Sequence, residues 1–309
     1  MSRVLRLLRT LCLFCALSSC ADRTMPSYRA EIREDPPPRF VMLSDTQRTM
    51  PAEVWRKDAP EERRKIAQAV ADEDPAFVVN AGDLTCHGSY PEEWRRFHDD
   101  QSPIFSRGIP YYPALGNHDY YGDREVALRN FFTHFPGLGR RRWYTVRFPP
   151  VLVVILDSNF DQLSAAEAAS QDRWLESTLG LAEGDSSVRH VILCFHHPPF
   201  TNARLYAGSE EVRKRFLPRI TPKVKVVFSG HVHSYERFVV DGIQFVVSGG
   251  GGGPPAALQT GSPRHPDAYA GPRSFHYCRF TVAGERLVCD VVMLREDGAW
   301  MPADGFACP

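Results

Sequence analysis

Five short segments of this chain carry side chains that bind metal ions in proteins: carboxylates, carboxamides and imidazoles. They are Asp45-Thr46-Gln47, Gly82-Asp83, Gly116-Asn117-His118-Asp119, His196-His197 and Gly230-His231-Val232-His233. Oxygen and nitrogen donors without an obligatory thiolate suit hard and borderline ions. A pair of such ions needs a shared carboxylate, and Asp83 is the natural bridge. A lone histidine is more often structural, but the joint occurrence of these segments predicts a dinuclear metal site.

Each segment follows a hydrophobic run that predicts a buried β-strand. The runs cover residues 40–43, 77–80, 111–115, 190–195 and 224–229. In open α/β sheets, ligands bind beyond the carboxyl ends of the strands. We therefore expect the five segments to meet at one end of the strands.

Helical periodicity between these strands predicts the α/β class. The predicted helices cover residues 60–74, 92–99, 124–134, 165–179 and 210–216. Residues 143–148 and 151–156 predict an antiparallel strand pair, and from residue 237 onward the patterns predict strands alone. The expected architecture is a four-layer αββα sandwich, in which two mixed β-sheets pack face to face and are flanked by helices.

The first 38 residues are predicted to lie outside this domain. Three arginines precede an apolar run at residues 11–17, and Leu17-Ser18-Ser19-Cys20 looks like a bacterial lipobox. We expect a lipoprotein signal peptide at 1–19, a proline-containing tether at 20–38 and a domain at 39–309. Lipidated Cys20 would then anchor the exported protein in the membrane of the bacterial cell envelope, facing the periplasm or the cell surface. The alternative is an ordinary secretory signal.

The charge balance argues against one class of partner. The chain of 309 residues has 37 Lys+Arg and 37 Asp+Glu, so its formal net charge is zero. Nucleic-acid binding through a basic surface is therefore not expected. The sequence leaves the oligomeric state open.

Four cysteines of the domain have predicted environments. Cys194 lies within an apolar run and is expected to be a buried core residue. Cys278 and Cys289 flank a predicted hairpin turn at 283–284, and alternation places both on one face. In an oxidising compartment they could pair with each other, or either could pair with Cys308.

Together the five segments resemble the signature of the calcineurin-like metallophosphoesterase superfamily, over about residues 40–293. Residues 112–119 and 230–237 are most similar to the purple acid phosphatase branch. The resemblance implies two divalent or trivalent metal ions, with Mn, Fe and Zn all compatible. It assigns one ion to Asp45, Gln47, Asp83 and His233, and the other to Asp83, Asn117, His196 and His231. It also implies that His118 contacts the phosphate and assists the leaving group, with Asp119 orienting its imidazole.

Two positions depart from the family pattern. Gln47 stands where the superfamily usually has a histidine. The same Asp-x-Gln form occurs in relatives such as the manganese-dependent ADP-ribose and CDP-alcohol phosphohydrolases. Cys86 stands where purple acid phosphatases have the tyrosine that binds ferric iron, so no ferric-tyrosinate centre is implied. Cys86 itself is interpreted as a metal thiolate, a small packing residue near the site or half of a disulfide. His197 follows the ligand position and is equally well explained as a packing residue.

The resemblance predicts an acid phosphatase-like, metal-dependent phosphoric ester hydrolase that acts on a small phosphorylated substrate. A hydroxide bridging the ions would attack phosphorus. One alternative is a pyrophosphohydrolase of the nucleotide-diphosphate type, favoured by Gln47. The other is an inactive metal-containing binding lipoprotein, against which His118 and Asp119 argue.

Two further segments have competing interpretations. The glycine run 249–253 is interpreted as a loop beside the metals, where missing side chains let substrate approach, or as a flexible linker. The charged run 61–65 is interpreted as a solvated helix face.

Overall fold

The computed structural model describes residues 25–50, 53, 56–259, 263–265, 267–271 and 273–309. Within these ranges the strands are β1 Arg39–Leu43, β2 Val78–Asn80, β3 Tyr111–Pro113, β4 Tyr144–Phe148, β5 Val151–Ile155, β6 His190–Cys194, β7 Val224–Ser229, β8 Tyr235–Val240, β9 Ile243–Ser248, β10 Tyr269–Ala270, β11 His276–Ala283, β12 Arg286–Leu294 and β13 Trp300–Cys308. The α-helices are α1 Pro60–Asp72, α2 Pro91–Asp100, α3 Ser102–Phe105, α4 Arg124–His134, α5 Ala165–Gly184 and α6 Glu210–Arg215.

The strands form two mixed sheets. One has the order β13-β12-β11-β1-β2-β3, and the other the order β10-β8-β9-β7-β6-β5-β4. Strands joined through helices pair in parallel, as β1 with β2 and β5 with β6, whereas the hairpins β4–β5 and β11–β12 are antiparallel. This mixture follows from the connections, because parallel strands need a long crossover and antiparallel strands only a short turn.

Alternation along β5 shows how the layers stack. Val153 and Ile155 belong to the core cluster that includes Phe40 and Phe280 of the other sheet. Leu152 and Val154 point to the opposite face, where they pack with Leu175 and Leu179 of α5. Successive residues of a strand face opposite sides of its sheet, so one face of β5 meets the other sheet and the other face meets a helix. The predicted αββα class is confirmed.

Strands β10 and β13 were not predicted. Strand β13 pairs antiparallel with β12 at the edge of its sheet, although its sequence contains Pro302, Asp304 and Gly305, which disfavour strands. An edge strand tolerates proline because one side of its backbone needs no partner, and the register of β12 shifts between Val291 and Val292.

Residues 25–32 do not extend away from the domain as the predicted tether would. Met25, Tyr28 and Ile32 pack against the main core. The Tyr28 backbone N–H donates to the His134 carbonyl at 2.7 Å, and the Tyr28 ring stacks on Phe105 at 4.2 Å between centroids. These contacts make the segment a packed arm of the domain. The predicted signal peptide and Cys20 lie outside the described residues.

The run 61–65 is only partly a solvated helix face. Arg63 is buried, and its guanidinium lies 2.7 Å from Asp58 and 2.9 Å from Asp100. The prediction of a fully solvated face is therefore wrong at this position, because two carboxylates from outside the run compensate the buried charge.

All five described cysteines are buried free thiols, so none of the predicted disulfide pairs is present among them. Cys278 and Cys289 do share the buried face with Phe280, and Cys194 is a core residue as expected. In the described part of the chain, no helix has the length and apolar character needed to cross a bilayer.

Candidate metal centre

The loops that follow β1, β2, β3, β6 and β7 carry all seven expected ligands to one place. Asp45, Asp83 and His231 have φ angles of 61°, 55° and 67°. Non-glycine residues adopt this left-handed region only where the surrounding structure imposes it, and such residues cluster at functional sites.

One group of donors surrounds the Asn117 carboxamide. Its Oδ1 lies 3.1 Å from His196 Nε2 and 3.0 Å from His231 Nδ1, and these two ring nitrogens are 3.3 Å apart. His196 Nδ1 lies 3.0 Å from the Ala81 carbonyl, which can only accept, so this nitrogen carries the proton. In the neutral ring the other nitrogen, Nε2, has a free lone pair, which a metal ion beside Asn117 Oδ1 could accept.

A second group consists of Asp45, Gln47 and His233. His233 Nε2 lies 3.2 Å from Asp45 Oδ1 and 3.3 Å from Gln47 Nε2. Its Nδ1 lies 3.0 Å from the Pro254 carbonyl, which fixes the ring in the same way as Ala81 fixes His196. The group therefore offers a carboxylate, a carboxamide and an imidazole.

Asp83 lies between the two groups. Its Oδ2 is 3.2 Å from Gln47 Nε2 and 3.2 Å from His196 Nε2. The other oxygen, Oδ1, accepts the backbone N–H of His118 at 2.8 Å, which holds the carboxylate in place. A single carboxylate oxygen thus faces both groups, which is one of the ways in which a carboxylate can bridge two ions.

Two buried oxygens of the second group, Asp45 Oδ1 and Gln47 Oε1, accept no hydrogen bond. His233 Nε2 lies 3.2 Å from the first, but it carries no proton in a neutral ring whose Nδ1 donates to Pro254. Buried acceptors are almost always paired, so two unpaired oxygens in one group of ligands require an explanation. A cation supplies one, because it is the partner that carboxylate and amide oxygens share. The residues present therefore fit a metal ion at this group.

The ionisable side chains of this cluster shift one another's pKa values. Burial alone would raise the pKa of Asp83, but the His196 and His118 imidazoles outweigh it and lower that pKa. Burial alone would lower the pKa of His196, yet the Asp83 carboxylate raises it to about 9. Burial lowers the pKa of His231, and the neighbouring imidazoles add to this effect. Asp83 is thus an ionised, buried carboxylate.

His118 lies at the rim of the cluster, with its side chain 18% exposed and its Nε2 3.9 Å from Asp83 Oδ2. Its Nδ1 lies 3.1 Å from the Cys86 carbonyl, and the Tyr121 ring packs at 4.4 Å between centroids. Because a carbonyl only accepts, Nδ1 carries a proton, and Nε2 is the nitrogen that can exchange one.

The prediction that Asp119 orients His118 is wrong in this structure. Asp119 Oδ1 accepts the backbone N–H groups of Leu84 and Thr85 at 3.0 and 3.1 Å, and Oδ2 accepts that of Gly116 at 2.9 Å. All of its hydrogen bonds go to the two loops, so it holds the Asp83 loop against the Asn117 loop. Burial and the Asp83 charge raise its pKa to about 7.

Cys86 is not a thiolate in this structure. Its Sγ donates to Glu93 Oε2 at 3.0 Å, and burial raises the pKa of its thiol to about 12. The interpretation as a small packing residue near the site therefore holds. Glu93 also pairs with Arg48 at 2.6 Å, so it ties the loop after β1 to the loop after β2. No sequence pattern indicated a role for Glu93. The only signal near it was its partner Arg48, which directly follows the segment Asp45-Thr46-Gln47.

His197 lies beside the cluster. Its ring centroid is 4.6 Å from that of His231, and Ser158 Oγ lies 3.0 Å from its Nδ1. Burial and the neighbouring His196 lower the pKa of His197 to about 3. The structure places it as a neutral third imidazole next to His196 and His231.

The glycine run lies against the cluster, as the first of its two interpretations predicted. A Cβ on Gly253 would lie 2.5 Å from His233 Cε1, and one on Gly249 would lie 2.9 Å from Asp45 Oδ2. Both distances are shorter than van der Waals contact. Glycine at these positions lets the loop pass close to the ligands.

A family model described as calcineurin-like phosphoesterase matches residues 38–235, which is more than half of the chain and includes the five segments. The chain belongs to the calcineurin-like phosphoesterase family. Members of this family typically bind two metal ions, which agrees with the two groups of donors around Asp83.

Several relatives of this chain are purple acid phosphatases. Purple acid phosphatase 1 of Ipomoea batatas is 28% identical over 175 residues, 52% of this chain and 36% of that protein. Probable inactive purple acid phosphatase 24 of Arabidopsis thaliana is 26% identical over 192 residues, 55% of this chain and 30% of that protein. The chain thus spans about a third of the length of these curated relatives.

A solved structure supports the same fold. Purple acid phosphatase PPD1 from yellow lupin (Lupinus luteus) seeds has a TM-score of 0.65 at 20% identity, covering 89% of this chain and 54% of that one. The predicted similarity to the purple acid phosphatase branch is confirmed.

Proposed function

We propose that this chain is a phosphoric ester hydrolase that uses two metal ions, manganese, iron or zinc, at Asp45, Gln47, Asp83, Asn117, His196, His231 and His233. The observation that carries the proposal is the position of Asp83 Oδ2 between the two groups, 3.2 Å from the Gln47 amide nitrogen and 3.2 Å from His196 Nε2. When bound, such ions act as Lewis acids toward phosphoryl oxygens and lower the pKa of a coordinated water.

The residues around the ions have separate tasks. The Ala81 and Pro254 carbonyls fix the rings of His196 and His233, so that their free nitrogens face the site. His118 is the group placed to give a proton to the leaving oxygen from Nε2, because the Cys86 carbonyl holds Nδ1. Water is consumed, and a phosphate and an alcohol are released.

The test is hydrolysis of a panel of phosphate monoesters, diesters and nucleotide diphosphates by protein loaded with each metal in turn. We expect turnover that depends on the metal and disappears with chelator. Full metal occupancy without turnover of any ester would favour an inactive binding protein. The Arabidopsis relative carries the word inactive in its name.

Gln47 should make its ion the more labile of the two. An amide oxygen is a weaker donor than imidazole toward borderline ions such as Zn²⁺ but serves Mn²⁺ well. We expect this ion to leave first with chelator and to be restored best by Mn²⁺. Gln47→Ala should keep one ion and little activity, and Gln47→His should slow inactivation by chelator. Two retained ions with wild-type chelator sensitivity in Gln47→Ala would remove Gln47 from the ligand set.

We also propose that the protein is exported and lipid-anchored through Cys20, supported by the basic and apolar leader before Leu17-Ser18-Ser19-Cys20. Mass spectrometry of the N-terminal peptide from membrane extracts should show an acylated Cys20. Cys20→Ala should release the protein from the membrane fraction, whereas Cys15→Ala, inside the removed leader, should not. An unmodified N-terminus beyond Cys20 would contradict this proposal.

A further inference from the structure

A cavity of about 480 Å³ opens beside the metal centre, and His231 and His233 form part of its wall. Cavities that bind drug-sized molecules have volumes of about 300–1,000 Å³. This cavity therefore has room for an organic group in addition to a phosphate held at the metals.

Part of the wall is apolar. Ala203, Leu205, Pro255 and Ala256 line it, and the Tyr206 ring meets that of His231 at 4.6 Å between centroids. Apolar and aromatic surfaces of this kind bind the hydrocarbon part of a ligand.

Three arginines provide the charge of the cavity, and no acidic residue is among those that line it. Arg56 is partly neutralised by Glu53, with 3.1 Å between Nη1 and Oε1. Arg273 donates from Nε to the Pro255 carbonyl at 2.8 Å, a bond that leaves its charge uncompensated. Among the described residues, no carboxylate forms an ion pair with Arg204 or Arg273. The cavity thus combines an apolar wall with two uncompensated positive charges.

The loop that carries Arg204 is fixed relative to the metal ligands. Buried Glu236 of β8 accepts the Asn202 backbone N–H at 2.7 Å, and β8 begins two residues after His233. Arg264 Nη1 donates to the Ala203 carbonyl at 2.7 Å. Arg204 therefore extends from an anchored backbone at a set position from the site.

We propose that this cavity selects phosphoesters whose organic part carries a second negatively charged group, bound by Arg204 and Arg273. The inference rests on the proposed function, because the metals hold the phosphate that is cleaved. Guanidinium groups bind carboxylate and phosphate oxygens through paired hydrogen bonds. The substrate class is a phosphoester in which an apolar or aromatic segment separates the scissile phosphate from a carboxylate or a further phosphate.

The test compares phenyl phosphate with 4-carboxyphenyl phosphate as substrates of the manganese-loaded full chain. Because hydrogen bonds to charged groups are the stronger ones, wild-type kcat/KM should be about tenfold higher for the carboxylate. In R204A/R273A this ratio should be about tenfold lower than in wild type. Arg129→Ala, on the exposed side of α4, is the matched control and should keep the wild-type ratio. The two substrates also differ in their leaving groups. This difference affects all three proteins equally, so it cancels when their kcat/KM ratios are compared.

An equal kcat/KM for both substrates in wild type, or a ratio unchanged in R204A/R273A, would overturn the inference while the proposed function stood. If neither substrate is hydrolysed, calorimetry with phenylphosphonate and 4-carboxyphenylphosphonate takes over, and the proposed function fails only if the whole ester panel is also left intact. Binding about tenfold tighter for the carboxylate, lost in R204A/R273A, would support the arginine site. Equal binding of the two phosphonates would overturn it.

Discussion

Asp83→Asn is expected to lose at least about 10³-fold in kcat/KM, because the Lewis-acid contribution of bound ions is several kcal/mol. The variant keeps the size of the side chain but removes the charge that faces both donor groups through Oδ2. Metal content should fall together with activity. Elemental analysis of the purified protein and steady-state kinetics on the same sample measure both.

The matched control for this variant is Asp241→Asn. Asp241 is exposed and has a φ of 51°, close to the 55° of Asp83, so the control makes the same chemical change on a similar backbone. It should keep wild-type activity and metal. An Asp83→Asn protein with two ions per chain and most of its activity would show that Asp83 is not the shared ligand.

His118→Ala is expected to lose about 10²- to 10⁴-fold in rate while keeping both metal ions. His118 contacts the cluster only at its rim, with Nε2 3.9 Å from Asp83, and its proposed task is proton donation to the leaving oxygen. Aryl esters with good leaving groups need little protonation and should lose less. A series of aryl phosphates with graded leaving-group pKa measures this difference.

The leaving-group series also distinguishes proton donation from a purely structural role. A loss of equal size across the series, or a loss of metal from His118→Ala, would contradict the role as an acid. Tyr121→Phe is a useful second variant, because it keeps the ring that packs on His118 at 4.4 Å and removes only the hydroxyl that accepts from Asn117 Nδ2. It should change metal affinity more than leaving-group dependence.

The strands and the ligand positions could be predicted because both depend on local sequence. Each ligand follows a hydrophobic run, and the helices between the runs impose parallel strands whose carboxyl ends coincide. The residues 124–134 predicted as helical coincide with α4, because Asp123 caps its first turn through Val126 N–H. Signals of this kind lie within a few residues of one another, so the sequence alone is enough to recognise them.

The misassigned contacts depend on residues far apart in the chain. Asp119 receives two of its backbone hydrogen bonds from Leu84 and Thr85, about 35 positions earlier, and the sequence alone does not show that pairing. The Cys86 carbonyl that holds His118 is a backbone group, so no residue type signals it. Similarly, Tyr28 finds its partners at Ile109 and His134 only after the domain has folded.

The cavity proposed to bind substrate could not be predicted from the sequence, because its wall also combines residues that are far apart in the chain. Arg204 and Arg273 lie about 70 positions apart, and only the anchoring of the 201–208 loop to Glu236 brings the first of them to the cavity beside the metal ligands. Arginines in irregular segments carry no pattern that separates a binding role from ordinary solvation.

The central claim is that the Asp83 carboxylate is shared by two metal ions. Anomalous diffraction from crystals of the manganese-loaded protein tests it most directly, because it locates each ion against the protein atoms. We predict two anomalous peaks, one among Asp45, Gln47 and His233 and one among Asn117, His196 and His231, with Asp83 in contact with both. A single peak at full manganese occupancy, or two peaks of which one lacks Asp83, would contradict the account.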